Sequence, residues 1–209
     1  MALIFRTEDA DEQGLVAIGG DLRPATLLRA YRNGIFPWFN ENEPILWWSP
    51  DPRAIFECGR FYISRRLART IRAEKFRLTI NQSFLGVMQG CADRERTWIT
   101  DEMFEAYLRM HRLGHAHSIE AWLGAELVGG VYGVAQGGVF CGESMFHRVN
   151  DASKVALAYL LEYLWLRGFT LFDTQVLTEH TARLGAILIP RADYLARLKI
   201  ALELPVRFV

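Results

Sequence analysis

The 209-residue chain is poor in cysteine, carries no net charge and contains no long apolar run. Its three cysteines, Cys58, Cys91 and Cys141, are widely spaced and form no C-x-x-C pair, which argues against a zinc site. An odd count suits reduced thiols better than a disulfide framework. No stretch approaches the roughly 20 apolar residues of a membrane span. The amino terminus, MALIFRTEDADEQG, turns acidic where a signal peptide needs an apolar run. A cytoplasmic protein with no membrane partner is therefore expected. There is no G-x-S-x-G, Walker loop or dinucleotide fingerprint. His115 and His117 alternate and His180 stands alone, so no metal and no cofactor are expected. The sequence carries no signal of oligomeric state, and a monomer is the default expectation.

Apolar residues make up 51% of the chain and charged residues 23%, which is enough to bury a core and excludes general disorder. Zero net charge by itself disfavours a nucleic-acid partner, but the distribution is uneven. Between Arg60 and Arg77 stand seven basic residues and one acid, Glu74; the rest of the chain holds 17 basic and 23 acidic residues. A phosphate backbone responds to such a local patch.

Pro24 suits the first turn of a helix running to about Asn33 and stopped by Gly34. The following stretch, GIFPWFNENEPILWWSPDPRAIF, holds four prolines and cannot be a helix interior. It reads as an ordered loop leading to a strand at Arg53 to Phe56. Ser64 is a natural N-cap for a helix through Arg72. Lys75 to Ile80 alternates like a strand, Asn81 is placed to cap a helix through Gly90, and residues 101–113 form an amphipathic helix ended by Gly114. Residues 115–122, 126–136 and 138–146 read as three strands joined by tight turns. A long apolar helix (150–167), a strand (169–174) and two helices (178–184 and 191–202) follow. This order predicts an α+β class: a small N-terminal subdomain, residues 1–96, packed on a C-terminal domain, 97–209. The second half resembles the N-acetyltransferase (GNAT-like) fold.

Five features carry chemistry. Arg65, Arg69 and Arg72 recur at helical spacing on one face, with Arg66 beside them. Like charges there repel, and no local acid balances them, so phosphate binding outweighs a merely solvated face. Of the tryptophans, Trp47 and Trp48 read as plugs between subdomains, whereas Trp38 and Trp98 suit stacking on an unpaired nucleobase. In FDTQ, alternation puts Asp173 and Gln175 on one face and Phe172 and Thr174 on the other. The pair either forms a site or caps the following helix; the sequence leaves both open. Alternation likewise puts Glu143 with Met145 and opposite Ser144 and Phe146. A glutamate there pairs with an arginine or meets a cationic substrate. Finally, Leu157, Leu160, Leu161 and Leu164 form a core stripe whose end could line an apolar pocket with Met145 and Val131.

The segments GIFPWF, WWSPDPRA, RTWIT, GHAHSIE, VGGVYGVAQG, FCGESMF, NDASKVAL, FDTQV, HTARLGA and IPRADYL occur in this order. Together they resemble leucyl/phenylalanyl-tRNA–protein transferases, from about Gly14 to about Leu198. The resemblance implies transfer of Leu or Phe, or Met, from aminoacyl-tRNA to proteins with N-terminal Arg or Lys, forming a peptide bond and a degradation signal. It implies no ATP and no cofactor. It assigns the catalytic residues to Asp173, Gln175 and Glu143, and the aminoacyl pocket to Val131, Met145, Leu157, Leu160, Leu164 and Phe172. tRNA contacts fall on Trp38, Trp98, Arg65, Arg66, Arg69 and Arg72. Thr174 stands where relatives often carry Cys, and alternation turns it away from the site. Val and Leu replace the bulkier residues that tend to line the pocket, which leaves the Leu-versus-Phe preference open.

Overall fold

The computed structural model describes residues 5–93 and 97–209. The expected boundary at 96/97 adjoins residues 94–96, which lie outside the described residues. Strands from both sides of it share one sheet. That sheet has seven strands in the order β10-β4-β9-β8-β7-β6-β5. They are β4 (Arg53–Phe56), β5 (Arg77–Ile80), β6 (Ala116–Leu123), β7 (Glu126–Gln136), β8 (Val139–His147), β9 (Leu171–Gln175) and β10 (Ile187–Ile189). A second, three-stranded sheet joins β1 (Leu15–Ile18), β3 (Leu46–Trp48) and β2 (Phe36–Pro37). β2 and β3 lie in the stretch that reads as loop from sequence; strands of two and three residues are too short to show alternation.

The α+β class and the order of three antiparallel strands, helix and parallel strand are as expected. β5 to β8 form an antiparallel run, and β9 returns parallel to β8 after the long helix α5 (Ala152–Leu166). One hydrophobic core holds Tyr31, Trp47, Met88, Tyr107 and Tyr194, beneath α1 (Pro24–Arg32), α3 (Phe84–Ala92), α4 (Asp101–Arg112) and α7 (Arg191–Leu202). Another holds Phe140, Phe172 and the Leu157–Leu164 stripe of α5. Trp47 is fully buried, donates from Nε1 to Gly19 O at 2.8 Å, and lies 4.7 Å from the Phe5 ring.

Several local expectations are corrected. α3 begins after Ser83, not Asn81. Asn81 adopts φ 57°, its amide meets His117 Nδ1 at 3.0 Å, and its carbonyl accepts from Ser118 N, so tertiary partners hold it instead. α5 starts at Ala152, two residues later than expected, because Asp151 takes a left-handed conformation at φ 73°. Ser64 does cap α2 (Arg65–Arg72), accepting from Leu67 N at 3.2 Å.

Candidate active site

Two irregularities and a strand separation build the site. β8 bulges against β7: Gly133 pairs with Gly142 and Tyr132 with Ser144, leaving Glu143 as the extra residue. The bulge reverses the expected facing. Glu143 turns to Tyr31 and Tyr107 of the first core, while Met145 packs on the second, so the two are on opposite faces. β9 and β8 pair from Val139↔Leu171 to Cys141↔Asp173 and no further. Past that point a side-chain bond bridges them: Gln175 Nε2 donates to Glu143 Oε1 at 3.0 Å. Gln175 itself sits at φ 66°, a conformation that costs a residue with a Cβ and that surrounding contacts must hold.

Asp173 supplies that hold. It is fully buried and grips Arg53, also buried, through Nε–Oδ1 at 2.9 Å and Nη2–Oδ2 at 2.7 Å. Tyr194 Oη donates to its Oδ2 at 2.8 Å, and the Gln175 backbone N–H to its Oδ1 at 2.8 Å. Arg53 also donates to Gly34 O and lies over the rings of Phe36 and Tyr194. Burial works against its charge, but Asp173 overrides this and raises its pKa. The helix-cap reading of Asp173 and Gln175 is overturned: the helix α6 (Glu179–Arg183) is capped by Thr178 in a reciprocal box with Thr181.

Glu143 sits among hydroxyls. Tyr31 Oη lies 2.8 Å from its Oε1, Tyr107 Oη 3.0 Å from its Oε2, and the two phenols are 2.5 Å apart. With Glu143 ionised, two phenol protons must serve three oxygen–oxygen contacts; with Glu143 protonated, every contact has one. Burial pushes the carboxyl up to about 7, although Tyr31, Tyr107 and Gln175 favour its charged form. Burial and then Glu143 raise both phenols well above their ordinary range. Among the described residues Glu143 pairs with no arginine, the alternative that the sequence left open.

A cavity of about 620 Å³ opens where β8 and β9 separate. Glu143, Val131, Met145, Leu157 and Phe172 line it, with Trp98 at its side. Thr174 lines it too, contrary to the expectation that it faces away: it is the residue of β9 left over where Ala54 pairs with Gln175 and Ile55 with Asp173. Leu160 and Leu164 do not reach it; they are fully buried in the second core. Trp38 is not in the lining either. It is 47% exposed, 6.2 Å from the Trp48 ring, and its carbonyl accepts from Trp48 Nε1. Arg65, Arg69 and Arg72 are exposed and have no ion pair among the described residues. Arg66 differs: Asp151 balances it at 3.3 Å, an acid 85 positions away that no local reading of α2 finds.

Sequence reasoning missed Arg53, Tyr31, Tyr107 and Tyr194. Each sits on an apolar face where it reads as core, and the signal that could have found them is a buried carboxylate's need for donors. Among the described residues no group of three or more His, Cys, Asp or Glu could hold a metal.

A family description, leucyl/phenylalanyl-tRNA protein transferase, matches residues 55–199, and its N-terminal domain matches residues 20–51. The protein of that name from Shewanella baltica (strain OS155 / ATCC BAA-1091) is 55% identical over 192 residues, covering 90% of this chain and 81% of its own. This chain belongs to the leucyl/phenylalanyl-tRNA protein transferase family. The transferase of Enterobacter sp. (strain 638) is 56% identical over 190 residues, covering 90% of this chain and 81% of its own. That of Salmonella heidelberg (strain SL476) is 54% identical over 197 residues, covering 93% and 84%. A GCN5-related N-acetyltransferase from Kribbella flavida covers 80% of this chain at TM-score 0.42 and 11% identity, a likeness too remote to support a conclusion. No helix among the described residues is long and apolar enough to cross a membrane.

Proposed function

We propose that this chain moves leucine or phenylalanine from aminoacyl-tRNA to the α-amine of proteins that begin with Arg or Lys, as a cytoplasmic monomer. The observation that carries this reading is the cavity walled by Val131, Met145, Leu157, Phe172 and Glu143, with Gln175 bonded to Glu143 behind it, in a member of this family. The donor is an ester, so forming an amide from it runs downhill without ATP. The amine nitrogen bonds to the ester carbonyl carbon, the bond to the ribose oxygen breaks, and one proton passes from nitrogen to that oxygen.

Val131, Met145, Leu157 and Phe172 hold the apolar side chain; such a wall rejects polar amino acids and separates near-isosteres poorly. Trp98 offers a face to the terminal base. Gln175 spends its amide N–H on Glu143, which leaves its carbonyl to accept from the attacking amine. Glu143 holds the proton in transit, and as a carboxylate on the cavity wall it favours an acceptor with a cationic first side chain. Asp173 acts as a positioning residue: it accepts from the Gln175 backbone N–H and so holds that residue in place. Arg65, Arg69 and Arg72 offer phosphate contacts to the body of the tRNA.

The test is transfer of radiolabelled leucine from leucyl-tRNA to a peptide beginning with Arg, beside the same peptide beginning with Ala. Label on the Arg peptide alone, without ATP, is expected. Bound tRNA with no label on either peptide would reduce the protein to an RNA-binding module.

A further inference from the structure

The first turn of α5 stands at the mouth of the cavity and has no role in the scheme above. Ser153 is 2% exposed and lines the cavity, yet its hydroxyl has no hydrogen-bond partner among the described residues. The hydroxyl faces the cavity, so whatever fills the cavity can supply its hydrogen-bond partner. Asp151 at the N-cap gives no side-chain cap, and the helix is 15 residues long, so its amide end presents positive charge. Gly129 of β7 makes this approach possible: a Cβ there would fall 2.6 Å from Ala152 Cβ.

Side chains around this point add to that charge. His147 and His180 line the same mouth, and Lys154, 3.5 Å from Asp151, follows Ser153 in the first turn. Burial, then Lys154, His147 and Arg183, depress the proton affinity of His180, so four basic groups crowd one another. Of the acids near this turn, Asp151 serves Arg66 and Lys154, Glu179 serves Arg183, and Asp93 on the rim lies 3.7 Å from Arg148; Glu143 also lines the cavity. Arg66 ties α2 to this turn, so the arginine face of α2 runs on to the cavity mouth. Ser153 and Leu157 lie one turn apart on one face of α5, about 5.4 Å along the axis. An aminoacyl group against Leu157 thus brings the first phosphate of its own nucleotide toward Ser153.

We propose that Ser153, Lys154, His147 and His180 form an anion subsite for the phosphodiester joining the last two nucleotides of the tRNA acceptor end. The inference rests on the transferase reading and deepens it. It separates recognition of the 3′ end from the arginine face of α2, which serves phosphates further along the strand.

The experiment compares two minimal donors: leucyl-adenosine, with no phosphate, and cytidylyl-(3′→5′)-leucyl-adenosine, with one. The readout is the ratio of their kcat/KM values with an Arg-initiated peptide as acceptor. The natural protein is expected to favour the phosphate-bearing donor by about tenfold or more, and Ser153→Ala, Lys154→Met and His180→Gln each to cut that ratio severalfold. His180 is exposed, so its variant keeps the test sound if Ser153→Ala disturbs folding. A ratio near one in the natural protein, or an unchanged ratio in folded variants, overturns the subsite. No transfer from either donor overturns the transferase reading instead, so the two failures are distinguishable.

Discussion

Arg53 and Asp173 form a buried ion pair in which Arg53, Tyr194 and the Gln175 backbone amide all bond to the carboxylate. Removing one partner leaves the other charged and uncompensated. Arg53→Ala is expected to cost about 3–5 kcal/mol in chemical denaturation, far more than an exposed pair such as Arg6–Asp9 would. Glu143 gives a pH-dependent prediction. Its carboxyl ionises at about 7 in the fold against 4.5 ordinarily, so the neutral form is the one the fold favours. That contribution is complete below about pH 4.5, declines as pH rises, and is gone above about pH 7. Glu143→Gln should therefore gain stability relative to the natural protein between pH 5 and 8, by about 1–3 kcal/mol, measured by denaturant midpoints at each pH. The same variant should lose about 10²-fold in kcat and the limb of the rate profile near neutrality. A variant whose stability tracked the natural protein at every pH would refute the assignment of that proton.

At the scale of elements, the site depends on how α5 and β8 meet the sheet. Gly129 and Gly130 stand where β7 is crossed on its two faces, by α5 and by Val87 of α3. Gly129→Ala puts a methyl against Ala152 Cβ and the α5 backbone, and the backbone cannot swing aside as a flexible side chain would. It is expected to destabilise by about 1–3 kcal/mol and to displace the first turn of α5, read as a lowered melting temperature with reduced transfer from phosphate-bearing donors. The bulge at Glu143 is the second device. It lets a carboxylate face the phenols of α1 and α4 while its neighbour Met145 still lines the cavity. Strict alternation along FCGESMF cannot foresee this, because one unpaired residue inverts every side chain after it.

For the whole molecule, zero net charge conceals a polar separation: the arginines of α2 are exposed, while many acids are scattered elsewhere. tRNA affinity should then fall steeply with salt. Replacing Arg65, Arg69 and Arg72 by Ala together should flatten the slope of log K against log salt by about two to three units, a change that filter binding across a salt series resolves. An unaltered slope would place the tRNA contact elsewhere.

Helix and strand positions were legible because they follow local period and caps: Ser64 starts α2, and Gly114 follows the end of α4. The ordered motifs likewise placed the chain in its family, and Asp173, Gln175 and Glu143 stood out as polar residues on apolar strands. The sequence by itself determined these things because each depends on neighbours within a few residues. Only the tertiary structure decided that Arg53, 120 positions away, neutralises Asp173 and that Tyr31 and Tyr107 enclose Glu143. It also decided that Asp151 answers Arg66 and that the cavity takes Leu157 but not Leu160 or Leu164. A buried charge is settled by whichever donor the fold carries to it, and that distance in sequence leaves no mark on local pattern.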